Sequence, residues 1–389
     1  MRSLSAFLLF LAVFLSLYGL LHYYFYWKVT HAFVITPLWK VMLGFLLLLL
    51  LLAPILVHLS AHAGMDAGSK AIAYIGYLWM GALFLFVSIH VAVDMADGLL
   101  YLASKFLATG LSKARPTALF GFVATCIAVM GVMLYGVMDA GRIRTEIITI
   151  ETEKLPRRLP SLRVVQISDV HLSAISGREL AEKIAECITR LKPDLLLSTG
   201  DLVDRGLIDP GRTADLFRAL DAPYGKYAVT GNHEFYAGLK EALSFTRDAG
   251  FRVLRNEAVT VAGAINLVGV DDPTARRYGM TAFPLEEDIL KSIPGENLTL
   301  LLKHQPRVNK KSLGKFDLQL SGHTHGGQIF PFKLIVMLAF PYHQGFYELP
   351  GKSSLYVSRG TGTWGPPMRF LSPPEVTLIE FQRKTGAQR

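Results

Sequence analysis

The stretch "SGHTHGGQ", residues 321–328, places two histidines two positions apart among glycines, directly after the apolar run "FDLQL". A strand that ends in this way can offer imidazole nitrogens to a metal ion. A glycine-rich polar loop can contain the same residues without binding anything. The motif alone does not decide between these interpretations, so the rest of the chain has to supply partners at equivalent places.

Four further apolar runs also end at aspartate, asparagine or histidine. They are "LRVVQIS" before Asp169 and His171, "DLLLSTG" before Asp201, "GKYAVTG" before Asn232 and His233, and "NLTLLLK" before His304. Ligands of open α/β sheets bind beyond the carboxyl ends of the strands. Each ending alone is typical of a turn or cap, but the five together predict one common metal site.

Amphipathic stretches such as "ELAEKIAECITRLKP", residues 179–193, separate these runs, and the alternation predicts an α/β domain.

Residues i and i+2 of a strand share a side. Continued extended geometry would therefore let Asp169 and His171 approach one ion, and would do the same for His323 and His325. The carboxylate, imidazole and amide donors, without a thiolate, suit Mn, Fe or Zn. About seven donors exceed the needs of one tetrahedral ion, so we expect two divalent ions about 3.5–4 Å apart.

In order along the chain, these motifs resemble those of the calcineurin-like metallophosphoesterases. The matching residues are Asp169-x-His171, "GDLVD" (200–204), "GNHE" (231–234), His304 and "GHTH" (322–325). The resemblance covers about residues 155–385, and "GHTHGGQ" and "YVSRGTGTWGPPMRFLSPPE" are similar to the bacterial membrane-associated branch. It implies an αββα sandwich of two mixed sheets. "GDLVDRG" and "GNHE" also resemble the protein Ser/Thr phosphatases, whose final histidine motif differs.

The resemblance also implies a role for each residue. One metal would be held by Asp169, His171 and His325, the other by Asn232, His304 and His323, with Asp201 as the bridge and Asp204 orienting His233. Two cations would lower the pKa of a bridging water, and the resulting metal-activated hydroxide would attack phosphorus. His233 would stay outside the metal ligands and act on the substrate phosphate or on the leaving group, to which its protonated form can donate a proton.

The first 140 residues contain four apolar segments, each long enough to cross a bilayer, which needs about 20 residues. The segments lie near Leu4–Tyr26, Leu38–His58, Ala71–Val93 and Pro116–Val137. A cleaved signal peptide would explain only the first of them. The sequence therefore predicts a four-helix transmembrane domain in residues 1–140, a connector in residues 141–160 and the metallophosphoesterase domain in residues 161–389.

Charge bears on partners and on membrane sidedness. The net charge of +9 is spread out, which fits a membrane surface or a phosphorylated substrate, and no aromatic-interleaved basic stripe indicates nucleic acid. Five basic residues near the membrane after spans one and three oppose four on the other side, which favours an extracytoplasmic catalytic domain. These are Lys28, Lys40, Lys105, Lys113 and Arg115 against Arg2, Lys70, Arg142 and Arg144.

Several polar residues and one segment have two interpretations. His90, Asp94 and Asp97 share a helical face and form either an intramembrane functional site or a headgroup-level cluster. Arg205 contacts phosphate or stays solvated, Glu234 supports the site or merely starts a helix, and Asp271 and Asp272 form a turn or join the site. Residues 329–345, "IFPFKLIVMLAFPYHQG", either meet the bilayer and a lipid tail or pack in the core.

We therefore expect a multi-pass protein of the cell membrane with a two-metal phosphoesterase that hydrolyses a phosphodiester or pyrophosphate. A lipid such as UDP-2,3-diacylglucosamine is a candidate substrate, and a phosphorylated small molecule is another. A phosphomonoesterase or protein phosphatase is an alternative enzyme. A non-catalytic domain that senses a ligand is an alternative of a different class. Neither the metal identity nor the oligomeric state follows from the sequence.

Overall fold

The computed structural model describes residues 2–62, 66–106 and 115–384, without the side chains of residues 2–7, 10, 58–62, 66, 67 and 69. Lys113 and residues 385–389 lie outside these ranges, as do the side chains of Arg2, Leu4 and His58. The chain divides into two compact units. The first is Met1–Val137 with Gly365–Met368, and the second is Met138–Trp364 with Arg369–Arg389.

The N-terminal part consists of helices. They are α1 (Arg2–Ala32), α2 (Pro37–His62), α3 (Asp66–Phe106) and α4 (Ala118–Ala140). Among the described residues, three segments are long and apolar enough to cross a membrane: Pro37–Val57, Lys70–Phe106 and Ala118–Ala140. The fourth segment that the sequence predicts, Leu4–Tyr26, lies in α1, where the side chains of residues 2–7 and 10 are not described, so that span stays a prediction.

The polar face of α3 is paired within this unit. Asp94 accepts hydrogen bonds from Lys28 Nζ and Tyr24 Oη, both at 2.6 Å, which joins α3 to α1. His90 Nδ1 lies 2.8 Å from Thr125 Oγ1, which joins α3 to α4. Asp97 forms a two-pronged pair with Arg115 at 2.8 Å. These contacts satisfy polar groups that would otherwise be costly between apolar helices, and they favour a structural role for the three residues.

The second unit contains two six-stranded sheets, with the orders β1-β12-β2-β3-β4-β5 and β10-β11-β9-β8-β7-β6. The strands are β1 (Arg144–Thr152), β2 (Ser161–Ile167), β3 (Leu195–Ser198), β4 (Lys226–Ala228), β5 (Arg252–Val253), β6 (Glu257–Val261), β7 (Ile265–Val270), β8 (Leu298–Lys303), β9 (Leu318–Ser321), β10 (Gly345–Leu349), β11 (Ser353–Val357) and β12 (Glu375–Arg383). β1 lies within the segment that the sequence assigns to a connector. The boundaries predicted at residues 140 and 160 stay a prediction.

The second unit also contains helices. They are α5 (Arg178–Leu191), α6 (Pro210–Arg218), α7 (Asn232–Ala237), α8 (Leu239–Asp248), α9 (Thr274–Arg277), α10 (Glu286–Lys291) and α11 (Phe332–Ala339). Alternate residues of β2 point to opposite faces, as a strand requires. Val165 and Ile167 pack with α5, α6 and α8, whereas Leu162 and Val164 pack against the second sheet. α10 covers the far face of that sheet through Ile289 and Leu290. The expected αββα sandwich is confirmed.

The five runs with polar endings are β2, β3, β4, β8 and β9. β2, β3 and β4 pair in parallel within the first sheet, and β8 and β9 pair in parallel within the second. The carboxyl ends of parallel neighbours lie at one edge of their sheet. The sandwich therefore carries the loops that follow these strands to a common region.

The Lys28–Asp94 pair predicts a measurable coupling between α1 and α3. Because both side chains are partly shielded from solvent, we expect Lys28→Ala and Asp94→Ala each to lower the unfolding midpoint of the full chain in detergent. The free energy of unfolding that the double variant loses should be smaller than the sum of the two single losses, by a coupling energy of about 1 kcal/mol. Strictly additive losses would show that the pair contributes nothing.

Candidate metal centre

The predicted ligands lie in loops just beyond the strands, and five of them have left-handed backbones. Their φ angles are 52° for Asp169, 51° for His171, 52° for Asp201, 74° for His323 and 50° for His325. β2 ends at Ile167 and β9 at Ser321, so the extended geometry expected beyond both strands does not continue. Such conformations cost about 1–3 kcal/mol each and concentrate at functional sites.

One cluster consists of Asp169, His171 and His325. Nε2 of His325 lies 3.1 Å from Nε2 of His171 and 3.4 Å from Oδ1 of Asp169. All three residues are buried. The structure thus brings together the three residues that the family resemblance assigns to one ion.

A second cluster consists of Asn232, His304 and His323. Nε2 of His304 lies 3.2 Å from the amide oxygen of Asn232 and 3.2 Å from Nδ1 of His323. The residue after β8 is His304, the turn after β9 supplies His323, and the start of α7 supplies Asn232. These three are the residues assigned to the other ion.

Asp201 lies between the clusters. Its Oδ2 is 3.1 Å from Nε2 of His304 and 3.8 Å from Nε2 of His171. One carboxylate oxygen is therefore within reach of both groups, as a bridging ligand requires. All seven predicted ligands converge on one region, and whether they bind metal stays a prediction.

The donor set fits divalent cations. Nitrogen and oxygen atoms of three overlapping groups approach within 4.8 Å of one another: Asp169, His171 and His325; His171, Asp201 and His233; Asp201, His304 and His323. Burial, aided by the positive charge of His304, lowers the pKa of His323 to about 4. Burial and the positive charge of Arg369 also lower the pKa of His325. Both imidazoles are then neutral, which is the form that coordinates a metal. Burial lowers the pKa of His304, but the charge of Asp201 outweighs it and raises that pKa, so an ion would have to displace a proton from His304.

His233 is held beside the clusters by Asp204. Nδ1 of His233 lies 2.7 Å from Oδ1 of Asp204, as the orienting role predicted for Asp204 requires. Burial lowers the pKa of His233, but the charges of Asp204 and Asp201 outweigh it and raise the pKa to about 9. In the metal-free protein the ring is therefore protonated at neutral pH and can donate a proton. Asp204 also lies 3.2 Å from Nδ1 of His171, a second contact that the sequence did not predict.

Glu234 ties two of the ligand loops together. Its buried carboxylate accepts hydrogen bonds from the backbone N–H groups of Asp201 at 3.0 Å, Leu202 at 2.7 Å and Gly231 at 2.7 Å. Burial and the charge of Asp201 raise its pKa to about 7. The acid three residues after a helix N-cap in "GNHE" is the sequence signal for this contact. Glu234 therefore supports the site rather than merely starting α7.

Arg369 supports the site from the far end of the chain. Its guanidinium is fully buried and its Nη2 lies 3.2 Å from Nδ1 of His325. It donates to the backbone carbonyls of His325, Arg359, Gly360, Gly362 and Ser372. Sequence reasoning did not single out this residue, because 44 positions separate it from His325 and it lies in no metal-binding motif. The signal was its place in the stretch "YVSRGTGTWGPPMRFLSPPE", which carries part of the family resemblance.

Trp364 places an aromatic ring beside His233, with ring centroids 6.0 Å apart. The side chain of Gln328 makes two hydrogen bonds to the backbone of Trp364. Nε2 of Gln328 donates to the carbonyl of Trp364 at 2.8 Å, and Oε1 of Gln328 accepts from the backbone N–H of Trp364 at 2.9 Å. The glutamine that ends "SGHTHGGQ" thus positions an exposed tryptophan at the site.

The remaining polar residues with two interpretations form hydrogen bonds or ion pairs with other groups of the protein. Arg205 donates to the backbone carbonyls of Tyr236 and Ala237. Asp271 pairs with Arg255 at 2.6 Å. Asp272 accepts from Gln305 Nε2 and from the N–H of Thr274, both at 2.8 Å, as a turn residue would.

Comparisons with known proteins place this geometry in a family. The family described as calcineurin-like phosphoesterase matches residues 162–327. An uncharacterized metallophosphoesterase of Aquifex aeolicus (strain VF5) is 40% identical over 251 residues, which are 64% of this chain and 96% of the relative. The Danio rerio protein named transmembrane protein with metallophosphoesterase domain is 31% identical over 301 residues, 74% of this chain and 69% of the relative. A crystal structure of TT1561 of Thermus thermophilus has a TM-score of 0.33 and 15% identity, covering 51% of this chain and 89% of that one.

Gly322 offers a sharp test of the crowded first cluster. A Cβ at Gly322 would lie 2.1 Å from Oδ2 of Asp169 and 2.0 Å from Oγ of Ser168. We expect Gly322→Ala to displace the Asp169 carboxylate and lower the bound metal per chain, measured by elemental analysis after purification. Gly211→Ala is the control, because nothing lies within 4 Å of its Cβ position. Equal metal content in both variants would contradict the assignment of Asp169 as a ligand.

Proposed function

The chain belongs to the calcineurin-like phosphoesterase family and is a metal-dependent phosphoester hydrolase, and on this premise we propose that it cleaves a phosphodiester or pyrophosphate at a membrane. The position of Asp201 between the two histidine clusters carries the proposal. A carboxylate oxygen 3.1 Å from one imidazole nitrogen and 3.8 Å from another supports two ions sharing one ligand. Mn, Fe and Zn all suit the donors.

The chemistry divides between the ions and the protein. When bound, two divalent cations would neutralise phosphate oxygens and lower the pKa of a water that serves as nucleophile. His233 donates a proton to the leaving oxygen as the phosphorus–oxygen bond breaks, for which its raised pKa is favourable. Asp204 keeps the His233 ring in place and stabilises its protonated form.

The apolar helices of the N-terminal part support a substrate located in the membrane. Three apolar segments long enough to span a bilayer and the name of the Danio rerio relative support a membrane protein. An enzyme anchored in this way meets lipids at high local concentration, which favours a lipid phosphodiester or pyrophosphate over a soluble ester. The extracytoplasmic placement of the catalytic domain stays a prediction from loop charges.

Replacing Asp201 tests the metal centre. We expect Asp201→Asn in the full chain, purified in detergent and supplied with Mn²⁺, to lower turnover of bis(p-nitrophenyl) phosphate by at least about 100-fold. A two-metal site contributes several kcal/mol, and each ~1.36 kcal/mol is tenfold in rate. Asp248→Asn, at the exposed end of α8, is the charge-matched control.

The same assay separates the alternative functions. Faster hydrolysis of phosphomonoesters than of diesters by the wild type would favour a phosphatase. Failure to turn over any ester with Mn²⁺, Fe²⁺ or Zn²⁺, together with tight ligand binding, would favour a sensing domain.

Replacing His233 tests the proton donor. We expect His233→Ala to lower kcat by about 10²–10⁴ on alkyl phosphodiesters, whose leaving groups need a proton, and by much less on nitrophenyl esters. The metal content should stay at the wild-type level. An equal loss on both ester types would indicate that His233 acts on binding or on the ions instead.

A further inference from the structure

α11 begins at Phe332, shortly after Gln328 ends the histidine motif, and it presents an apolar surface to solvent. Leu334, Ile335, Met337 and Leu338 are all exposed, and Leu338 is 88% exposed. These four side chains are called the α11 face below. Val336 is the one buried residue of the helix. The alternative that this segment packs in the core therefore does not describe it.

The helix is attached to the metal centre at both ends. A Cβ at Gly327 would lie 2.3 Å from Cα of Lys333, so the glycine backbone packs directly against the first turn of α11. At the other end, the ring centroid of Phe340 lies 5.2 Å from that of His323. The two ends of α11 are thus held next to the histidine motif, and its C-terminal end contacts His323, a predicted ligand of the second ion.

Further exposed apolar groups lie beside the residues that lead into α11. The backbone of Phe330 pairs with that of Phe370, whose neighbour Leu371 is exposed, and Phe330 itself is more than one-third exposed. Monomeric soluble proteins rarely leave such clusters uncovered unless the surface binds something.

Charge and size indicate which partner covers the surface. Residues 329–347 contain Lys333 and no Asp or Glu, and the guanidinium of Arg307 lies 5.8 Å from the centre of the Phe340 ring. Apolar groups beside basic ones are typical of helices that lie in the interface of an anionic membrane. A stable protein–protein interface uses about 20–30 residues on each side, far more than the α11 face supplies even together with Phe330 and Leu371.

We propose that the α11 face inserts into the acyl layer of the bilayer in which the chain is anchored, so that a lipid substrate passes from the membrane to the metals. The insertion itself stands apart from catalysis, whereas the passage of substrate rests on the proposed function. Because Phe340 ends α11 against His323, a lipid whose tails stay among Leu334, Ile335 and Leu338 would present its phosphate towards the ligands.

The first experiment measures insertion without turnover. The chain's own cysteines are Cys126, which is replaced by serine for this experiment, and Cys187, which is buried and is kept. A bimane label at Leu338→Cys in this full-length background, in nanodiscs containing phosphatidylglycerol with brominated acyl chains, should lose at least about half of its fluorescence. A label at Leu285→Cys, an exposed leucine before α10, should lose little. No quenching at Leu338, or equal quenching at both positions, would overturn the proposal. Quenching by a second labelled copy in lipid-free detergent would assign the surface to self-association instead.

The second experiment measures the consequence for substrate. We expect Leu334→Glu to raise KM for a diester lipid in nanodiscs about tenfold, while kcat/KM for soluble bis(p-nitrophenyl) phosphate stays within about twofold of wild type. Leu285→Glu, a matched substitution at an exposed leucine, should change neither. Equal effects on both substrates would overturn the delivery of lipid. If the wild type hydrolyses the soluble diester but no lipid, the proposal of a lipid substrate is wrong. The fluorescence quenching at Leu338 still decides whether the α11 face inserts into the membrane.

Discussion

The carboxylate of Asp201 is the group on which the rest of the site depends. Its Oδ2 lies between the two histidine clusters, while its Oδ1 accepts a hydrogen bond from the backbone N–H of His233 at 2.8 Å. Its own N–H is bound by Glu234. A Cβ at Gly231 would lie 2.1 Å from Oδ1, so the glycine of "GNHE" is needed for the carboxylate to fit. Two loops from neighbouring strands are thereby held to one acid.

Holding the site together has an energetic cost that the sandwich offsets. Five predicted ligands have positive φ angles, at about 1–3 kcal/mol each. Such conformations persist only where the surroundings leave no alternative, and here the strands that lead into the loops are largely buried between sheet and helices. Glu234 and Arg369 add the hydrogen bonds that the distorted loops cannot make within themselves.

The sequence allowed the fold and the residues that converge to be predicted, because strand endings recur at fixed places in an α/β sandwich. It predicted the wrong local geometry beyond β2 and β9, since a two-residue period describes strands and not left-handed turns. Arg369 and the second contact of Asp204 depend on distant parts of the chain meeting, which no local pattern encodes. The sequence of residues 329–345 shows that this segment is apolar. It does not show whether the apolar side chains are buried or exposed, because that depends on which side of α11 faces the protein.

Exposure within the site suggests how one fold can combine ionic chemistry with a lipid. Asp169, Asp201 and His304 are almost completely buried, so their charges and dipoles act in a medium that strengthens electrostatic interactions. Around them, Trp364 and the α11 face are exposed and apolar, while His233 is only partly buried. A substrate that fits both surroundings has a compact phosphate for the interior and an apolar body for the rim. Under the proposed function, a phosphate ester with a hydrocarbon portion would cover this rim, whereas a small hydrophilic ester would leave it in contact with water.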